Sequence, residues 1–163
     1  MELVRNWSTE PVPAQPEWQD KDYRYKSFAK DFMEVMVLTW RSTCNSLERL
    51  DEASTLIYQK LFEQNVRYLE MSFGVGAYPY DASETLSAFK ADVPEGMTVR
   101  IIGGVSRDRN TEVILEASQP YLEADGMDGV DLHGNETVGD PKAFADLFEA
   151  ARAQGLILKA HAG

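Results

Sequence analysis

The feature that most constrains this chain is the spacing of its strand-like segments. Short runs rich in β-branched and aromatic residues begin near positions 66, 97, 129 and 156, about 30 residues apart, and helical patterns separate them. This alternation is typical of βαβ units that share a parallel sheet. Because the crossovers of such units are right-handed, four strands of this kind give either an open doubly wound sheet or half of a (β/α)8 barrel.

Apolar spacing and turn residues predict the bounds of each element. We expect helices at residues 21–41 and 51–64, the second capped by Asp51 or Ser54, after a proline-rich, extended lead-in at residues 1–21. Four strands and three helices then alternate, at residues 66–73, 83–91, 97–105, 110–124, 129–132, 140–155 and 156–160. Asp140 and Pro141 start the last of these helices, and Pro120 is expected to bend or split the helix before it.

Composition disfavours several classes of function. The formal net charge is -11, which repels phosphate backbones and anionic membranes, so we expect neither nucleic acid nor a membrane as a partner. The sequence contains no long apolar span and no apolar core of a secretory signal. Its single cysteine, Cys44, excludes an intramolecular disulfide and a cysteine metal cluster, and it fits a cytoplasmic location.

Residues suited to chemistry fall where the predicted strands end. Ligands meet parallel sheets at the carboxyl ends of the strands. The candidates at these four ends are Glu70 and Ser72, Ser106 and Arg107, residues 131–136, and residues 161–163. Both histidines, His133 and His161, lie at these ends, where a neutral imidazole can bind a metal. A hydrogen-bonded structural histidine would satisfy the same pattern.

Other catalytic patterns are missing from the sequence. The glycines at 74, 76, 103 and 104 do not have the spacing of a phosphate-binding loop, and no serine or cysteine sits in a nucleophile elbow. A single cysteine excludes the zinc site of the cytidine deaminase type.

Two of the strand ends resemble the adenosine deaminase family of metal-dependent deaminases. Residues 131–137 (D-L-H-G-N-E-T) are similar to that family's D-L-A-G-(D/N)-E-T stretch, and residues 158–163 (L-K-A-H-A-G) to its strand leading into H-A-G-E. Residues 64–73 (Q-N-V-R-Y-L-E-M-S-F) are similar to its G-V-x-Y-x-E-x-R-F strand. The H-A-G triplet alone is a weak signal, but the first stretch followed by H-A-G at this distance is fairly specific. The resemblance covers about residues 22–163.

The resemblance implies an α/β fold, a partial (β/α)8 TIM barrel of about strands 2–5 with their helices. It also implies a zinc-dependent hydrolytic deaminase that converts adenosine or a related purine nucleoside to its 6-oxo product. In that family a zinc-activated water attacks C6 and ammonia leaves. His161 matches the strand-5 zinc ligand. Gly134 matches the glycine whose backbone N–H meets the purine, and a glycine lets a flat base approach the backbone closely.

The sequence also departs from the family pattern. It contains no H-x-H, the family's catalytic glutamate would follow Gly163, and the later histidine and the strand-8 aspartate are missing. No catalytic residue can therefore be assigned, and one ligand cannot hold zinc in a tetrahedral site. His133 stands where the family usually has alanine, and Ser72 where it often has arginine. We expect a lead-in at residues 1–21 and a barrel part at 22–163 that is truncated at the strand-5 ligand and inactive as this chain alone.

Three hypotheses follow. The first is a fragment of a purine nucleoside deaminase, whose exposed sheet edges could self-associate. The second is a non-catalytic, shortened barrel relative that binds a purine or a protein partner. The third is an amidohydrolase with another class of substrate, because a fold does not fix its function.

Overall fold

The computed structural model describes residues 44–90 and 92–161, together with Trp7 and Ser27. The chain falls into two compact units, Met1–Ala53 and Ser54–Gly163. In the first unit, the Arg49 guanidinium lies 5.9 Å from the centre of the Trp7 ring and donates to the Trp7 carbonyl oxygen at 3.3 Å. The predicted lead-in and the helix predicted for residues 21–41 lie outside the described residues, apart from Trp7 and Ser27.

The first described helix, α1, spans Leu47–Glu63 and begins four residues before the predicted start at Asp51. The hydroxyl of Ser46 accepts a hydrogen bond from the Arg49 backbone N–H at 3.2 Å, as an N-cap residue does. The predicted cap at Asp51 or Ser54 is therefore wrong, because a serine one turn earlier already satisfies a free N–H at the helix start.

Four parallel strands form one sheet in the described part of the chain. They are β1 (Tyr68–Gly74), β2 (Thr98–Ser106), β3 (Gly129–His133) and β4 (Ile157–Ala160), in the spatial order β1-β2-β3-β4. All four predicted strands are confirmed to within two residues at each end. A doubly wound sheet reverses its strand order at a switch point, whereas the strands of a barrel follow one another in sequence. The consecutive order therefore favours the barrel alternative.

Helices alternate with these strands. They are α2 (Ala82–Lys90), α3 (Thr111–Glu123) and α4 (Ala145–Ala153), the last preceded by a 3-10 turn at Pro141–Phe144. The side chain of Asn110 accepts from the Val113 N–H at the start of α3, and Asp140 accepts from the Lys142 N–H, as the predicted helix starts require. No helix among the described residues combines the length and apolar character needed to cross a bilayer.

Pro120 lies inside α3 and does not split it, contrary to one of the two effects predicted. The helix ends only three residues later, and the Ala124 N–H donates to the Pro120 carbonyl oxygen at 3.0 Å, so the last turn stays hydrogen-bonded. Tyr121 and Leu122 are buried in this turn and anchor it against the core.

One face of the sheet packs against the helices. Phe73 on β1 lies 5.1 Å from the Phe89 ring on α2 and 5.2 Å from the Tyr121 ring on α3, measured between ring centres. Tyr58 on α1 donates its hydroxyl hydrogen to the Phe89 carbonyl oxygen, and burial raises the pKa of Tyr58 to about 12. These contacts form part of the core of the second unit, which also contains the buried Leu86, Ile101 and Val105.

The opposite face of the sheet carries polar side chains that meet across several strands. The Lys159 ammonium on β4 lies 2.8 Å from a carboxylate oxygen of Glu70 on β1, although β2 and β3 separate these strands. In a flat sheet three strand spacings would be about 14 Å. This contact indicates that the polar face is the concave, inward face of a barrel wall.

Candidate functional site

The carboxylate of Asp131 organises the carboxyl-terminal edge of the sheet. Asp131 lies on β3 and is completely buried. Its carboxylate accepts a hydrogen bond from the Ser72 hydroxyl of β1 at 3.1 Å, and its two oxygens lie 2.9 and 3.1 Å from His161 Nδ1. A buried carboxylate is costly without such partners. Gly104, the register partner of Asp131 on β2, adds no side chain to this row.

His161 follows β4 and is held at three points. Its backbone N–H donates to the Leu132 carbonyl oxygen at 2.8 Å, and its own carbonyl oxygen accepts from the Arg107 guanidinium at 3.2 Å. Because a carboxylate only accepts hydrogen bonds, the contact with Asp131 places a proton on Nδ1, and the neutral imidazole then has its lone pair on Nε2. A carboxylate that orients an imidazole in this way is typical of histidines that bind metals. The side chain is 66% exposed, so Nε2 remains accessible to a ligand.

His133 lies at the end of β3, beside His161, with 6.2 Å between the ring centres. Its ring is half-buried against Gly104, where an added Cβ atom would come within 3.0 Å of the ring carbon Cε1. Burial is the main cause that lowers the pKa of His133. This histidine therefore fills space that the glycine of the neighbouring strand leaves open.

The turn after β3 requires a glycine at position 134. Gly134 has a φ of +96°, in the left-handed region that L side chains rarely adopt. A Cβ atom here would lie 2.8 Å from Asp108 Oδ1 and 3.0 Å from the Ser106 hydroxyl oxygen. The next residue, Asn135, donates its backbone N–H to Asp108 Oδ2 at 3.2 Å. The loop after β2 thus supports the turn after β3.

Glu70 is the centre of a second polar group on the concave face. It accepts hydrogen bonds from the Lys159 ammonium at 2.8 Å and from the Tyr68 hydroxyl at 2.7 Å. The hydrogen bond from Lys159, followed by that from Tyr68, lowers the pKa of Glu70, and the same contact raises the pKa of Lys159. Both groups are therefore charged at neutral pH. Ser72, where the resemblance would place arginine, instead donates to Asp131.

The described residues could contribute to a zinc site, but they do not form a complete one. In residues 44–90 and 92–161, no three histidine, cysteine, aspartate or glutamate side chains group closely enough to hold a metal ion. His161 presents the geometry of one ligand, and Asp131 orients it. The other two residues of the H-A-G triplet, Ala162 and Gly163, lie outside the described residues.

The structure brings together most of the strand-end residues that the sequence singled out. Ser72 and His161 both contact Asp131. The Ser106 hydroxyl lies against Gly134, 3.0 Å from where a Cβ atom would be. Two residues of this site, Lys159 and Asp108, were not singled out from the sequence. Lys159 is a charged residue in an apolar strand and lies two positions before His161, which places both on one face. Asp108 follows Ser106 by two residues in a loop, and its contact with residues 134 and 135 has no signal in the sequence.

Comparisons with known proteins identify the fold. No protein-family model and no curated protein sequence matches the chain. Solved structures do match it. A crystal structure of an amidohydrolase from Burkholderia ambifaria with bound zinc superimposes with a TM-score of 0.63 at 18% sequence identity, over 78% of this chain and 39% of that one.

Two Arabidopsis structures match almost the whole chain. The N6-mAMP deaminase gives a TM-score of 0.70 at 20% identity, over 99% of this chain and 53% of that one. ADAL in complex with IMP gives 0.66 at 19% identity, over 99% and 52%. The fold is that of a partial (β/α)8 barrel. The predicted partial TIM barrel is thereby confirmed, and the chain spans about half the length of these two structures, or less for the bacterial one.

Proposed function

We propose that residues 1–163 are part of a longer protein, called the full-length protein below. We further propose that it is a zinc-dependent hydrolytic deaminase that converts adenosine or a related purine nucleoside to its 6-oxo product. One observation carries the proposal: His161 lies at the carboxyl end of a barrel strand with Nδ1 held by the buried carboxylate of Asp131. The residues that the resemblance assigns to metal and purine, His161 and Gly134, lie at the same edge of the sheet, where barrel enzymes bind their substrates.

In this proposal His161 gives one zinc ligand through Nε2, and further ligands come from outside the described residues. When bound, zinc supplies an activated water for attack on C6 of the purine. Asp131 keeps the imidazole in the required tautomer and orientation, and Ser72 fixes the carboxylate. Residues 1–163 contain no H-x-H, and the catalytic glutamate that the resemblance implies would follow Gly163, so we expect residues 1–163 alone to be inactive.

Gly134 provides the proposed purine contact. Its left-handed φ, which residues with a side chain rarely adopt, sets the direction of the Gly134 N–H that would face the base. The similar structures support a purine ligand, since one is named as an N6-mAMP deaminase and ADAL was solved in complex with IMP and with GMP. His133 directly precedes this turn and stands where the family usually has alanine, so it is a candidate determinant of substrate choice.

Replacement of His161 tests the metal assignment. The His161→Ala variant of the full-length protein should lose stoichiometric zinc and deamination of adenosine, measured by elemental analysis and by ammonia release. His133→Ala is the matched control, because it removes the neighbouring imidazole and should retain zinc. If His161→Ala keeps one equivalent of zinc, the ligand assignment is wrong. If the zinc-loaded parent protein deaminates no purine, the chain belongs instead to the non-catalytic or other-substrate alternatives.

Replacement of Gly134 tests the purine contact separately. The Gly134→Val variant should raise KM for the purine while zinc content stays at one equivalent. The side chain would be strained at positive φ and would collide with the Asp108 carboxylate. An unchanged KM would remove Gly134 from the purine site.

We also propose a cytoplasmic location and a tendency of residues 1–163 to self-associate. The location is supported by the buried single thiol of Cys44. Self-association is supported by β1 and β4, which each pair on one side only within the described sheet. Sedimentation velocity over a range of concentrations measures the association directly.

A further inference from the structure

Asp108 bridges two neighbouring strand ends with its two carboxylate oxygens. Oδ1 accepts a hydrogen bond from the Ser106 hydroxyl at 2.5 Å, at the end of β2. Oδ2 accepts from the Asn135 backbone N–H at 3.2 Å, in the turn after β3. The hydrogen bond from Ser106 is the largest cause that lowers the pKa of Asp108, so the carboxylate is ionised at neutral pH.

The same carboxylate lies against Gly134 and leaves no space for a side chain there. A Cβ atom on Gly134 would come within 2.8 Å of Asp108 Oδ1. The backbone of the turn therefore rests on the carboxylate on one side, and the hydrogen bond at Asn135 fixes the next peptide unit. Loss of Asp108 would remove both the support and the hydrogen bond.

The hydrogen bonds of Asp108 can affect either the stability of the whole fold or only the position of the turn. Asp108 is exposed, and exposed hydrogen bonds contribute little to global stability. Its effect should be confined to the position of the turn. If the turn faces a substrate, that confined effect appears in substrate binding and not in folding.

We infer that Asp108 is a positioning residue that holds the Gly134 turn in the conformation that receives the purine. The inference rests on the proposed function. It assigns to the loop after β2 a role in substrate affinity, although no atom of Asp108 needs to touch the substrate. The chemistry it serves is the placement of the Gly134 backbone N–H opposite an acceptor nitrogen of a purine ring, while the Asn135 N–H is held by Asp108 itself.

The test compares Asp108→Ala and Asp108→Asn in the zinc-loaded, full-length protein, with adenosine, AMP and N6-methyl-AMP as substrates. Asp108→Ala should raise KM about 5- to 10-fold, as expected for about one lost hydrogen bond, and leave kcat within about 2-fold. Asp108→Asn should restore KM to within about 2-fold, since an amide can accept from Asn135 and donate to the Ser106 oxygen. A loss of folded protein would instead lower the apparent kcat and leave KM unchanged.

Hydrogen exchange provides a second readout that does not depend on activity. The Asn135 amide should exchange faster in Asp108→Ala than in the parent protein, while the amides of β3 keep their protection. An unchanged KM together with unchanged exchange overturns the inference. Faster exchange with an unchanged KM also overturns it, because the turn would then not face the substrate. If the parent protein deaminates none of the three substrates, the proposed function fails, whatever the exchange shows.

Discussion

A carboxylate buried as completely as that of Asp131 must be matched by hydrogen-bond donors, because an unpaired buried charge is strongly unfavourable. The donors here are the Ser72 hydroxyl and His161 Nδ1. Asp131 thereby links β1, β3 and the end of β4 through two side-chain contacts. A single residue, Asp131, thus determines which imidazole nitrogen of His161 is left for a ligand, and that nitrogen is Nε2.

We predict that Asp131→Asn weakens zinc binding by the full-length protein about 10-fold or more, as outer-shell substitutions typically do. The amide oxygen is a weaker acceptor than a carboxylate oxygen, and an NH2 donor replaces one of the two oxygens that lie near Ser72 and His161. Competition with a chromophoric chelator measures the affinity. Ser72→Ala is the control, since it leaves the contact with His161 intact and should change zinc affinity less. Equal affinities for Asp131→Asn and the parent protein would show that the carboxylate does not tune the ligand.

The sequence predicted the residues that end strands but not those that connect them. His161 and Gly134 were found from two short stretches that resemble the family and place them at strand ends. The contacts of Asp108 depend on how two loops meet, and loop conformation is not encoded in strand or helix periodicity. The position of His133 could be predicted, but its packing against Gly104 follows only from the strand register.

At the scale of elements, most of the alternation of strands and helices was predictable, because a period of two, a period of 3.6 and glycine or proline punctuation each leave local signals. Helix α1 was the clearest error. Its start at Leu47 is set by one hydrogen bond from Arg49 to the Ser46 hydroxyl, and Asp51 and Ser54 offered equally plausible caps in the sequence. A capping interaction selects among candidates only once the entering chain direction is known.

Asp128 joins three elements at the amino-terminal edge of the sheet. Its carboxylate accepts from the Ile101 N–H of β2 at 2.8 Å and from the Arg100 guanidinium at 2.8 Å, and it lies 2.9 Å from the Lys90 ammonium of α2. Desolvation, the largest single effect, would raise the pKa of Asp128, but these three donors together outweigh it and lower the pKa. The side chain is only 12% exposed, so solvent screening is limited.

We predict that Asp128→Asn lowers the free energy of unfolding at pH 7 by about 1–2 kcal/mol, the range for hydrogen bonds to a charged group after discounting exposed partners. Because the folded pKa is depressed, this stability is present above the unfolded pKa of about 3.9 and is lost as pH falls through the folded pKa. Urea unfolding between pH 7 and about pH 3 should show the difference between variant and parent shrinking as pH falls. A difference that stays constant over this range would contradict the assigned cause.

At the scale of the whole molecule, the concave face distinguishes a barrel wall from an open sheet. The periodicity of the sequence allowed both architectures, because each is built from the same βαβ units. The consecutive order of the four strands and the contact between Lys159 on β4 and Glu70 on β1 decide between them. Neither was predictable from local patterns, since the strand order depends on long-range pairing and the contact depends on how far the sheet curves.

The ion pair between Glu70 and Lys159 allows a test of whether the barrel is closed in the full-length protein. In a complete barrel, inward-facing side chains are enclosed by the remaining strands, and removal of one member of an enclosed ion pair leaves an uncompensated charge. We predict that Glu70→Gln and Lys159→Met each lower the Tm of the full-length protein more than the double variant does. The hydrogen bond that Glu70 accepts from the Tyr68 hydroxyl is separate, so Tyr68→Phe serves as the control for loss of a neighbouring contact.

The salt dependence of these Tm differences shows whether Glu70 and Lys159 are enclosed or face solvent. Attraction between solvent-exposed charges is screened at about 1 M NaCl, whereas that between enclosed charges is screened much less. If the remaining strands enclose the pair, the difference in Tm between the single and double variants should persist when salt is raised from a low concentration. If the difference vanishes at high salt, Glu70 and Lys159 face solvent in the full-length protein. The concave face would then line an open cleft, and the strands beyond β1 and β4 would not close over it.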